Sequence, residues 1–104
     1  MIMKMTDVVD LATRLQGVRH STSSGLDRWQ FHGRLIARQL DDTSIVIRAD
    51  FEYRDLLLRQ SPATFRVPQR FKNHMMVVVD LPEADVGAVE DALEAAWLLQ
   101  LDGA

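Results

Sequence analysis

Hydrophobic and polar positions recur along this chain with two different periods. In "MTDVVDLATRLQG" the apolar residues Val8, Leu11 and Leu15, with Val9 and Ala12 beside them, fall every three or four positions, the spacing of one helix face. Thr6 is the cap this stretch predicts, and Gly17 stands where such a helix stops. "VRHSTSSGLDR" reads mainly as loop, with Val18 to His20 starting a short edge strand. "RWQFHGRLIARQL" then shifts to a period of two. His32-Gly33 at its centre predicts a tight hairpin turn, because glycine accepts the positive φ that such turns demand. "DDTSIVIRAD" adds a third antiparallel strand after an Asp-Asp turn.

Asp50 is placed to cap a short helix, "FEYRDLLLRQ", with Glu52 suited to the positive end of its dipole and Ser61-Pro62 ending it. "TFRV" and "HMMVVVDL" predict two further strands joined by "PQRFKN". Met75 to Val79 show no alternation, so both faces of that strand should be buried in a central position. The last element, "DVGAVEDALEAAWLLQ", starts at an Asp85 cap and sets Val86, Val89, Leu93, Trp97 and Gln100/Leu101 along one stripe. Trp29, Phe31, Phe51, Tyr53, Phe65, Trp97, Met75 and Met76 all fall at positions that predict core. Helices at both ends of a run of antiparallel strands define an α+β two-layer sandwich, a single domain over 1–104 with a short helix inserted.

Length agrees with that reading, since 104 residues bury enough surface to fold without metal or disulfide. Cysteine is absent, which removes disulfide frameworks and thiol chemistry. No apolar run is long enough for a signal peptide or a membrane span, so the expected location is cytoplasmic. Met1, Met3 and Met5 are alternative start residues, with Met5 before Thr6-Asp7 a sensible one.

A net charge of −3 argues mildly against a nucleic-acid binder, but its distribution changes the picture. From Leu56 to Val79 there is no acid, while Arg59, Arg66, Arg70 and Lys72 give a local +4. From Asp80 onward there is no lysine or arginine, while Asp80, Glu83, Asp85, Glu90, Asp91, Glu94 and Asp102 give −7. The acidic mass therefore lies on the last helix.

Catalytic chemistry finds little support. His20, His32 and His74 have no ligand spacing with one another, and Asp91 and Glu94, one turn apart, read as a solvated face rather than a metal site. The serines from Ser21 lack a nucleophile elbow, and there is no glycine-rich phosphate loop. The expectation is a protein that is not an enzyme and carries no metal or cofactor. What remains is "FRVPQRFKNHMMVVVDL", where cations cluster just before a buried strand.

"LATRLQGV", "FHGRLIARQ", "IVIRADFEYRDLLL", "SPATFRVPQRF" and "DALEAAWLL" occur in the order and spacing of the MmcQ/YjbR-like proteins, and nearly the whole chain, residues 6–99, resembles that family. The resemblance implies a CyaY-like (frataxin-like) fold and DNA binding through a double-wing arrangement. On that reading Arg66, Arg70, Lys72 and His74 form one basic wing, Phe71 stacks on a base, and Arg34, with Arg38 two pleats along on the same face, supplies the second. The partner is then double-stranded DNA, bound weakly and salt-sensitively. The alternative is a protein or small-ligand adaptor that uses the concave sheet face, or a homodimer, with no nucleic-acid role.

Overall fold

The computed structural model describes residues 2–102; Met1, one of the alternative starts, lies outside them. Helix α1 spans Met5–Thr13. Asp7 rather than Thr6 closes its beginning, accepting the backbone N–H of Lys4 at 2.8 Å. A carboxylate in the first turn also suits the helix's positive end. Gly17 then turns the chain at φ +82°, and a Cβ there would stand 2.8 Å from the Phe31 ring.

The stretch that reads as loop is a complete hairpin. Strands β1 (Val18–Ser23) and β2 (Leu26–Phe31) pair residue for residue. Ser24 and Gly25 both take positive φ, which matches a two-residue turn to the twist of its strands. Beyond Val18 all of β1 is exposed, so this edge strand carries no apolar alternation by which the sequence could announce it. His32-Gly33 makes a second turn of the same kind, as the pattern predicts, and leads into β3 (Arg34–Asp41). β4 (Ser44–Arg48) follows a turn pinned by Asp41, whose carboxylate accepts the Thr43 N–H at 3.0 Å and the Ser44 hydroxyl at 2.7 Å.

Asp50 caps α2 (Phe51–Gln60), accepting the Tyr53 N–H at 2.8 Å. The two-residue β5 (Phe65–Arg66), a 3₁₀ turn (Gln69–Phe71), β6 (Met76–Asp80) and α3 (Val86–Asp102) complete the chain. One antiparallel sheet has the order β1-β2-β3-β4-β6-β5. β6 inserts between β4 and β5, and Val77, Val78 and Val79 are fully buried, as an unbroken apolar run requires.

α1 lies over β1 and β2 and α3 over β3 and β4, while α2 sits at the β5–β6 end. The result is a two-layer α+β sandwich with its core between helices and sheet, around Val8, Trp29, Ile47, Val79 and Leu93. The stripe of α3 differs from expectation. Val89, Ala92, Leu93 and Ala96 meet the sheet, whereas Val86 and Leu101 stay exposed. Alanines let the helix lie close, and a 17-residue helix, about 25 Å long, overhangs the contact at both ends. Phe51 is not core either: it is 44% exposed and lies under the Arg54 guanidinium.

Candidate nucleic-acid interface

Among the described residues no α-helix covers the far face of the sheet. Trp29 pairs with Ala37 and Ala37 with Ile47, all three in the helix-side core. Their chain neighbours Arg28, Arg38 and Val46 therefore point to the other side. Arg28 and Arg38 are direct cross-strand partners, and Arg48 shares the face of Val46 one pleat along. Arg19, opposite Gln30 in β1, takes a rim position by the same parity.

Phe71 folds onto this face from the 3₁₀ turn and packs against Val46 and Val78. Arg38 lies 5.9 Å from its ring centroid and Arg70 4.8 Å, while His74 meets the ring edge-on at 6.2 Å. Arg28, Arg38 and Arg48 thus run across β2, β3 and β4, with Arg70 joining beyond Phe71. Neither these four nor Lys72 has an ion-pair partner among the described residues, where the two pairs are Arg66–Asp80 and His20–Asp27. Arg28, Arg38 and Arg48 are each half-buried, and the Nε of Arg28 and of Arg48 is buried without a hydrogen-bond partner among the described residues, which restrains these side chains on the sheet.

The basic loop is held from beneath by Arg54 of α2. That side chain, only 9% exposed, donates to the carbonyls of Phe71 at 3.2 Å, Lys72 at 3.1 Å and His74 at 2.7 Å. An arginine in a short helix reads as solvated, so no local signal marks this role.

Arg38, Arg70 and His74 come together around Phe71 on this face, and Lys72 follows in the adjoining loop. Arg34 does not join them. From Trp29 to Gln30 the pairing advances one residue on β2 and two on β3, so β3 carries a bulge and Ile36 and Ala37 are both buried. Parity inverts there, and Arg34 reaches the helix side, donating to the Gln100 carbonyl at the end of α3 at 3.2 Å. Arg66 is engaged by Asp80 through bonds of 2.7 and 3.2 Å, which hold its pKa above the ordinary arginine value. Phe71 is 9% exposed with arginines against it, so it is a packing residue and offers no free face to a base. Arg28 and Arg48 went unselected in the sequence. Their ten-residue spacing with Arg38 is a visible signal, but it acquires meaning only once both hairpins are known.

Five of the acids lie on the helical layer, Asp7 and Asp10 on α1 and Glu90, Asp91 and Glu94 on α3, while Asp80 stays on the sheet beside Arg66. Among the described residues no three His, Asp or Glu side chains converge as a metal site, and no helix is long and apolar enough to cross a membrane.

No family model matches the chain, and no curated protein matches it. Among solved structures it is similar to the Deinococcus radiodurans protein DR2400, described as a DUF419 family-model domain, with a TM-score of 0.75 and 14% identity over 94% of this chain and 78% of that one. The likeness establishes a shared fold.

Proposed function

We propose that this chain is a small binding protein of MmcQ/YjbR type, without catalytic activity, that holds the phosphate backbone of double-stranded DNA on its helix-free sheet face. The observation that carries the reading is Arg28 directly opposite Arg38, with Arg48 and Arg70 beside them and no carboxylate paired to any of the four among the described residues. Like charges facing each other across strands are unfavourable by themselves, and a bound polyanion removes the repulsion. Guanidinium forks suit phosphate oxygens, and among the described residues no exposed aromatic or base-reading helix accompanies them on this face, so binding is independent of base sequence. Phe71 covers Val46 and Val78, so a ligand meets charge there rather than apolar surface, which favours DNA over a protein adaptor on this face. The fold shared with a DUF419 domain and the family resemblance of the sequence motifs support the same reading.

The test is fluorescence anisotropy on a labelled random duplex at several salt concentrations. Four arginines neutralising four phosphates give a log–log slope of about −3 to −4, a loss of roughly 60- to 250-fold between 50 and 200 mM salt. The acidic helix layer keeps Kd in the non-specific range of about 10⁻⁴ to 10⁻⁶ M. Absence of binding at low salt, or binding indifferent to salt, rejects the proposal.

A further inference from the structure

A second surface lies in the helical layer, where α2 and α3 leave a groove between them. Tyr53, Ala95, Leu98 and Leu99 line it, Asp50 and Asp102 stand at its rim, and its volume is about 270 Å³. It continues along α2 past Leu56 to Arg59. Leu98 is 47% exposed, the most exposed of the large apolar residues of α3. Asp91 and Glu94 lie one helical turn before Ala95 and Leu98 on the same side of α3, and after burial their charges raise the Tyr53 phenol pKa. Apolar floor and acidic rim are therefore parts of one surface, and α3 contributes no cation to it.

We infer that this groove is a docking site for a partner segment that is amphipathic and basic, setting one or two apolar side chains on Tyr53, Leu98 and Leu99 and lysine or arginine against the rim. Charge complementarity selects this occupant. A second copy docked by the same face about a two-fold axis would bring one acidic rim, with Asp50 and Asp102, onto the other, against which the groove lining offers Arg59 alone as a cation, a like-charge arrangement that costs stability. An open groove between two helices, with an apolar floor and a charged rim, suits side chains projecting from a helix laid in it. The inference is independent of the DNA reading, because the groove lies in the layer opposite the arginine face.

The experiment uses the full chain and a fluorescein-labelled amphipathic peptide of leucine and lysine. A scrambled peptide of the same composition and a leucine–glutamate analogue serve as comparisons, with binding sites mapped by amide chemical shifts. The expected result is binding by the amphipathic basic peptide alone, with shifts at Tyr53, Ala95 and Leu98. Leu98→Gln, an exposed site given a good helix former, should weaken it about tenfold or more, as loss of an interface anchor does. Glu94→Gln should weaken it less and flatten its salt dependence, whereas Arg28→Glu with Arg38→Glu should leave it unchanged. Equal binding of the scrambled peptide, indifference to both groove variants, or shifts confined to the arginine face would each overturn the inference. So would a concentration-dependent dimer abolished by Leu98→Gln, which would assign the groove to a second copy.

Discussion

Arg28 and Arg38 face one another across β2 and β3 with no carboxylate paired to either among the described residues, an arrangement that selection for stability alone would remove. Arg28→Glu turns a like-charge pair into an opposite one. Urea denaturation should then show stability raised by about 0.2–1 kcal/mol, while duplex affinity falls. A variant that loses both stability and binding would mean that Arg28 is a packing residue. Asp80→Asn tests the opposite change. The Arg66–Asp80 pair is substantially exposed, with side chains at 47% and 38%, so its loss should cost no more than about 1 kcal/mol. It also frees a fifth cation on the binding face, so affinity should rise and the salt slope steepen by about 0.9. Arg54 acts from within. Arg54→Ala removes the donors for three carbonyls and should cost roughly 2–4 kcal/mol, with amide exchange in residues 69–74 speeding first. Arg54→Lys should restore little, since an ammonium cannot reproduce the planar fork.

At the scale of elements, the hairpins depend on turns whose chemistry differs from one to the next. The β3–β4 turn is held by Asp41, whose pKa is lowered chiefly by the Ser44 hydroxyl and then by the Thr43 N–H. A depressed carboxyl pKa means that this contribution is fully present above the ordinary aspartate value and disappears as pH falls through the lowered one. Stability should therefore decline on acidification below about pH 4, and Asp41→Asn should flatten that part of the profile. Gly17 and Gly25 make a contrasting pair. Both have positive φ, but a Cβ meets the Phe31 ring at 2.8 Å in one case and open space in the other. Gly25→Ala should cost about 1–2 kcal/mol for its conformation alone. Gly17→Ala should cost more, because the buried Phe31 ring must also shift. Equal losses in thermal unfolding would show that the ring gives way freely.

Charge is unevenly divided between the two layers, with Arg28, Arg38 and Arg48 grouped on the bare sheet face and an excess of carboxylates on α1 and α3 behind it. Reversing Arg28 and Arg38 together should abolish duplex binding, read by anisotropy, while far-ultraviolet circular dichroism stays unchanged. Reversing Arg34 and Arg66 should weaken binding much less, although they carry the same charge. The difference is one of placement: Arg34 reaches the end of α3, and Asp80 already occupies Arg66. If the second pair mattered as much as the first, net charge rather than a defined face would be responsible.

Most of the fold was legible because local rules coincide with it. Val8 and Ala12 repeat at helical spacing, His32-Gly33 has turn chemistry, Asp50 caps its helix, and Met76 to Val79 form an unbroken apolar run. β1 was legible only at its start, Val18 to His20, because an exposed edge strand bears no burial pattern, and pairing with β2 is what carries it on to Ser23. The candidate site was legible in its loop, through Arg70, Lys72 and His74, and illegible in its centre. Whether Arg34 or Arg28 shares a face with Arg38 depends on one extra residue in β3, since a single bulge inverts every side chain beyond it. Sequence determined which elements form and how charge divides along the chain. Tertiary structure alone decided which arginines stand together unpaired, because cross-strand register and the partners Asp80, Gln100 and Phe71 come from 14, 66 and 33 residues away.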